Sequence, residues 1–195
     1  MSETPSTPLA VSLEVRSPEK QGVGIEFRWT DDRFSHKIFG LSDGQVVPLL
    51  ASIEGSPEDS FPASPPLVEL FQQEEIIFLT GATDAGHWSM SIEPIQAGKL
   101  TGFLFDAACR IKSPQRGLTS CYRTAESVRA SLGDSSLLLS TGLGDFCLEQ
   151  LPLPDTQEQP SCQLALAGSE VLLTQQTPQV GALPKTVRWQ YRLLA

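Results

Sequence analysis

The sequence predicts an all-β, mainly antiparallel fold with one or two short helices. Most apolar residues alternate with polar residues at a period of two, which is typical of strands with one buried face. Turn-forming residues recur between these segments at roughly even spacing. Only two stretches have the spacing of an amphipathic helix, and both are short. Because closure removes exposed strand edges, a closed or partly closed β-barrel is favoured over a two-sheet sandwich.

The predicted strands follow one another along the whole chain. Asp43 and Gly44 supply the positive-φ positions of a tight turn, so residues 34–39 and 45–50 form the clearest predicted hairpin. Residues 100–112 form the longest predicted strand, which favours a central place in its sheet. The other predicted strands cover residues 11–15, 25–29, 75–80, 87–92, 137–140, 146–151, 162–167, 171–175 and 187–193.

Two stretches predict helices, and two others predict loops. Apolar side chains with helical spacing after two prolines indicate a short helix over residues 65–74. The same spacing before a glycine indicates a second helix over residues 124–132. Several prolines and acids in residues 54–66 predict a long surface loop, and glycines at both ends of residues 81–86 predict a flexible connection.

A chain of 195 residues has the usual size of one domain, so residues 9–195 are predicted to form a single β-domain. Residues 1–8 combine two prolines with small polar residues, which predicts a mobile tail. No secretory signal is expected at this N-terminus, and no apolar stretch approaches the ~20 residues that a membrane helix needs. We therefore expect a cytoplasmic protein without a membrane partner.

Charge, cysteine spacing and motifs restrict the function further. A net charge of −9 argues against a nucleic-acid partner, because such binding depends on cations that neutralise phosphates. The four cysteines match neither a metal knuckle nor a dense disulfide scaffold, so reduced thiols are expected. No nucleotide-binding, zinc-protease or esterase motif is present, and neither a cofactor nor a metal is predicted. The cysteines are Cys109, Cys121, Cys147 and Cys162.

Three groups of polar residues are candidates for a ligand site. His36 shares its strand parity with apolar neighbours and is expected to point inward, as a structural histidine or as a ligand-binding group. His87, Ser89 and Glu93 form a polar stripe on one face of a strand, which faces either solvent or a barrel lumen. Asp106, Arg110 and Arg123 could form a structural ion pair or an anion site. Cys121 beside Arg123 is the best candidate for a lowered thiol pKa.

The sequence leaves three functions open. The first is a small-ligand-binding module whose polar, anion-accepting pocket takes a small anionic or aromatic ligand. The second is an enzyme in which a histidine acts with a carboxylate in acid–base catalysis and arginines hold an anion. The third is an interaction or scaffold subunit that uses the loop at residues 54–66. The first function predicts that His36, His87 and Arg110 line one shared pocket, while the oligomeric state stays open.

Overall fold

The computed structural model describes residues 10–56, 58–114, 117–153, 161–175 and 182–195, and its regular secondary structure is entirely β. The predicted tail at residues 1–8 lies outside these described residues. The strands are β1 (Ala10–Arg16), β2 (Gly22–Thr30), β3 (Arg33–Ser42), β4 (Gln45–Ser52), β5 (Glu69–Gln73), β6 (Ile76–Thr83), β7 (Gly86–Ala97), β8 (Leu100–Ile111), β9 (Leu118–Thr124), β10 (Arg129–Leu132), β11 (Ser136–Thr141), β12 (Gly144–Leu151), β13 (Gln163–Ala167), β14 (Glu170–Gln175) and β15 (Lys185–Leu194).

The strands form two antiparallel sheets, which confirms the predicted all-β, antiparallel class. Sheet A has the order β1-β2-β3-β4-β9-β14-β13, and sheet B has the order β10-β11-β12-β15-β8-β7-β6-β5. The preference for a barrel was wrong, because the sheets do not close and instead resemble a sandwich. Period-two alternation identifies the buried face of each strand but does not decide which strands end up at an edge.

The inner faces of the two sheets share one apolar core. β3 crosses several strands of sheet B, because Phe34 N–H donates to Leu67 O just before β5, whereas Gly40 lies against Phe146 of β12. A Cβ atom at Gly40 would lie only 2.2 Å from the Phe146 ring, so this crossing requires glycine. Such steep crossing is typical of orthogonally packed sheets.

Several predicted strands are present, and the central position of the longest one is confirmed. The hairpin at Asp43 and Gly44 joins β3 and β4, and both residues have positive φ values of 45° and 78°. β8 lies between β15 and β7, and its inward residues are fully buried. The C-terminal strand β15 does not lie at an edge but between β12 and β8.

Both predicted helices are wrong. Residues 69–73 form the edge strand β5, which pairs with β6, so Leu70 faces the core while Phe71 faces outward. Residues 129–132 form β10, which pairs with β11. In both places a neighbouring strand that needs a partner overrides a short helical pattern. None of the described residues belongs to a helix that could span a membrane.

The two loop predictions also need correction. The second part of the predicted surface loop is buried: Ser64 Oγ donates to Cys121 O at 3.0 Å, and Phe61 makes an edge contact with Trp88. This segment covers one side of the core. Residues 81–86 are not a long flexible connection, because β6 extends to Thr83 and β7 begins at Gly86.

Candidate functional site

His36 faces the interior and belongs to a buried hydrogen-bonded chain. It is 4% exposed, and its Nε2 atom lies 3.0 Å from the Tyr122 hydroxyl, which in turn lies 2.6 Å from the Tyr191 hydroxyl. Burial lowers the pKa of His36 to about 4, so the imidazole is neutral at physiological pH. Burial also raises the pKa of both tyrosines. Because its three members are buried, this chain satisfies polar groups inside the core.

A second group with a shifted pKa, the half-buried Glu54, adjoins this chain. Ser52 Oγ accepts a hydrogen bond from the main-chain N–H of His36 at 2.8 Å and contacts Glu54 Oε1. Burial raises the pKa of Glu54 to about 7, against the opposing effects of the Ser52 hydrogen bond and the Arg33 charge. Arg33 is itself buried and donates two hydrogen bonds to Asp32 and one to Glu54 O. Arg33 and Asp32 form an ion pair, Ser52 contacts the Glu54 carboxylate, and Arg33 joins these two pairs through the main-chain carbonyl of Glu54.

The polar stripe on β7 lies on the outer face of sheet B. His87 and Ser89 are exposed, and Glu93 is half-buried on the same face. His87 is the cross-strand partner of Arg110, so the structure brings these two predicted site residues together. His36 lies inside the molecule and cannot join them. The predicted shared pocket of His36, His87 and Arg110 is therefore not formed.

Asp106 and Arg123 also lie apart from each other. Asp106 on β8 binds the guanidinium of Arg188 and accepts a hydrogen bond from Gln190 at 2.8 Å, so its partners are on β15. This arrangement agrees with the structural ion-pair alternative for Asp106, although its partner is Arg188 rather than Arg110. Arg123 lies on β9 in sheet A and contacts Glu170 at 3.5 Å.

Arg123 borders a concave site on the outer face of sheet A, which we name the Ala51 groove. Lys37, Ala51 and Arg123 are successive cross-strand neighbours on β3, β4 and β9. Two strand spacings therefore separate the two cations, or about 10 Å between their Cα atoms. The small Ala51 side chain between them leaves a hollow of about 230 Å³. The groove is lined by Lys37, Pro48, Leu50, Ala51, Arg123, Thr124 and Ala125.

The groove lies where β4 is irregular. The register of β3 and β4 shifts between Ile38 and Phe39, and β9 pairs with only three residues of β4, Leu50 to Ser52. A bulge bends its strand, and Pro48, which is exposed beside the register shift, supplies an apolar side of the groove. Sequence reasoning singled out Arg123 but missed Lys37 and Ala51 as site residues, because only the strand order brings them together.

The cysteines are free, and none has a lowered pKa. Burial is the main cause that raises the pKa of all four thiols, to about 12 for Cys109 and Cys162. The expectation for Cys121 was wrong, because burial and the charge of Glu170 outweigh the charge of Arg123. Across the described ranges, no three His, Cys, Asp or Glu side chains gather closely enough to hold a metal ion.

Comparison with known proteins does not assign a family. No family model, no curated protein and no solved structure matches this chain.

Proposed function

We propose that this protein is a binding module for a small organic anion, which it holds in the Ala51 groove. The observation that supports this function is the position of two cations, Lys37 and Arg123, on either side of an apolar hollow. Ligand sites typically combine a largely apolar wall with a few placed polar groups. The Ala51 groove has this composition, and it is lined by Arg123, one of the residues predicted for the ligand site.

The charges around the groove favour an anion. Within the described part of the chain, Lys37 forms no ion pair, although Glu26 is its cross-strand neighbour, because the Glu26 carboxylate binds Arg28 instead. Arg123 makes one exposed contact with Glu170, and such surface pairs contribute little. Both cations can therefore turn toward an anion between them, and the guanidinium can bind a carboxylate or phosphate through two hydrogen bonds.

The size and lining of the groove limit the ligand class. Its volume of about 230 Å³ lies below the roughly 300–1,000 Å³ of sites for drug-sized molecules. Pro48 and Ala125 offer an apolar surface to one ring or a short aliphatic chain. We infer an acid with a single small apolar group, such as an aromatic carboxylate or an aryl phosphate.

The enzymatic alternative receives less support from these residues. Its candidate acid–base groups were His36 and His87, but His36 is enclosed and its pKa is lowered, while His87 lies on an open sheet face. No described carboxylate orients His87 by a hydrogen bond. Binding without a chemical step is the simpler function for the Ala51 groove.

Thermal denaturation with small acids tests the proposed function. We expect benzoate, phenylacetate or phenyl phosphate to raise the melting temperature, and neutral phenylacetamide to leave it unchanged. Lys37→Gln and Arg123→Gln should each weaken the binding of the active acid at least tenfold. Ala51→Leu should abolish binding by filling the hollow, without lowering the melting temperature of the free protein by more than a few degrees.

Arg16→Gln is the matched control, because Arg16 is also an exposed cation on the outer face of sheet A, but it lies on β1, pairs with Glu14 and does not line the groove. This variant should bind the acids like the original protein. Equal stabilisation by phenylacetamide, or equal loss of binding in Arg16→Gln and Arg123→Gln, would show that the groove does not bind the anion.

A further inference from the structure

The edge strand β5 offers an open side for pairing with another chain. It is the last strand of sheet B, and its sequence Glu-Leu-Phe-Gln-Gln contains neither the lysine nor the proline that commonly protects an edge. An unprotected edge presents main-chain donors and acceptors to which an extended peptide can bind as an additional strand. The described part of the chain places no strand of its own there.

Two aromatic side chains form an exposed apolar strip next to this edge. Phe71 of β5 and Phe78 of β6 are directly opposite each other, and they are 63% and 38% exposed. Aromatic rings that are exposed to solvent lack the stabilisation that they would gain from burial against another apolar group. The strip is thus placed to receive one apolar side chain from a strand that pairs with β5.

Negative charge surrounds this strip. Residues 38–98 contain nine acidic residues and neither lysine nor arginine. Glu74 and Glu75 form the turn after β5, and an acidic cleft of about 250 Å³ adjoins its other end at Val68. Four carboxylates line this cleft, with Arg33 as the single cation, which is already bound to Asp32. An acidic partner would meet repulsion at both ends of β5.

We propose that β5 binds an extended basic peptide segment as a ninth strand of sheet B. An apolar side chain of the peptide packs on Phe71 and Phe78, and lysine or arginine two residues before and after it lies near the acidic ends of the edge. Residues at this spacing share one face of a strand. This site does not depend on the Ala51 groove, which lies on sheet A.

The same charges argue against a second copy of the chain as the occupant. In an antiparallel pair of two β5 strands centred on Phe71, Val68 of one copy would lie opposite Glu74 of the other. The acidic turn of each copy would then face the acidic cleft of its partner, and like charges brought together in this way are destabilising. A basic segment avoids this repulsion and is attracted by the same negative charges.

Amide NMR of the full ¹⁵N-labelled chain tests the proposal, with the peptide acetyl-Thr-Lys-Thr-Phe-Thr-Arg-Thr-amide as the probe. We expect chemical-shift changes in β5 and β6, slower amide exchange in β5, and an affinity that falls as salt rises. A peptide with glutamate in place of both basic residues should bind at least tenfold more weakly. A peptide with serine in place of phenylalanine should also lose affinity.

Phe71→Ser should weaken binding at least tenfold while it leaves the fold intact, because the ring is mostly in solvent. Leu132→Ser is the matched control, since Leu132 is 45% exposed on β10 at the opposite edge of the same sheet. Three results would overturn the proposal: shifts that map away from β5, equal binding of the acidic peptide, or a concentration-dependent dimer through β5 that excludes the peptide.

Discussion

The Ser52 hydroxyl contacts the main-chain N–H of His36 and the carboxylate of Glu54, and burial shifts the pKa values of these two residues in opposite directions. The pKa of His36 falls to about 4, so the stability that this residue contributes is complete above pH about 6.5 and is lost as the pH falls through 4. The pKa of Glu54 rises to about 7, so its contribution is complete below pH about 4.5 and is lost as the pH rises through 7. The two effects oppose each other in the same pH range.

Because the two effects oppose each other, we predict that the free energy of unfolding depends little on pH. A single substitution should remove this balance. The free energy of unfolding of the original chain should change little between pH 7 and pH 4.5. Glu54→Gln should leave the effect of His36 uncompensated and lose about 3 kcal/mol as the pH falls from 7 to 4, because each pKa unit corresponds to ~1.4 kcal/mol. Urea denaturation at a series of pH values measures this difference.

Glu58→Gln is the control, because it removes the same charge from an exposed position. Its stability should follow the original curve. A Glu54→Gln curve that runs parallel to the original would mean that burial does not raise the pKa of Glu54 in solution.

Single elements were predictable from the sequence where side-chain alternation is complete. β8 is an example, since its buried residues at alternate positions from Phe103 to Ile111 are all apolar, and the turn of the β3–β4 hairpin follows from its Asp-Gly pair. β9 was missed because Ser120 points inward, where it accepts the Trp189 Nε1–H at 3.1 Å, and this polar residue interrupts the pattern. The hydrogen-bond partner that allows Ser120 to be buried is distant in sequence, so the local pattern of apolar residues does not reveal this strand.

The Ala51 groove was only partly predictable for the same reason. Arg123 was a candidate on its own, but Lys37 and Ala51 become its neighbours only because β9 pairs with β4 across an interval of about 70 residues. Local patterns do not reveal which distant strands pair or in what register. The helix predicted for residues 65–74 failed on the same ground, because β6 determines the conformation of β5.

The buried segment between β4 and β5 provides a test at the level of elements. A Cβ atom at Gly81 on β6 would lie 1.8 Å from Pro66 O, so any side chain there must displace the main chain of this segment. Gly81→Ala should therefore cost about 3 kcal/mol or more, as overpacking against backbone does. Chemical denaturation measures the loss.

Gly117→Ala serves as the comparison, because its Cβ would make only ordinary contacts of 3.6 and 3.7 Å. This variant should lie within about 0.5 kcal/mol of the original chain. Similar losses in the two variants would show that the position of Pro66 against β6 does not contribute to stability.

At the level of the whole molecule, the two sheets depend on each other for burial. Trp189 of sheet B donates to Ser120 of sheet A, and the Tyr122 and Tyr191 hydroxyls meet between the sheets. The rings of Tyr122 and Tyr191 also make an edge contact between the sheets at 6.3 Å between centroids. Loss of one sheet would expose both the apolar residues and the hydrogen-bonded groups of the other.

We therefore predict one cooperative unfolding transition for the intact chain. Far-ultraviolet circular dichroism reports both sheets, and tryptophan fluorescence reports the core at Trp88 and Trp189. Their midpoints should coincide, and the calorimetric enthalpy should equal the van't Hoff enthalpy. Two separate midpoints would contradict the prediction and would also divide residues 9–195 into more than one folding unit.

The position of β15 has a consequence for biosynthesis. Of the fifteen strands in the described residues this one comes last, yet it fills the gap between β12 and β8 inside sheet B. During translation β8 emerges long before this neighbour, and one edge of β8 has no partner until residue 194 has left the ribosome. Nascent chains should therefore require protection by chaperones between the emergence of β8 and that of β15, because exposed strand edges and apolar surface promote aggregation.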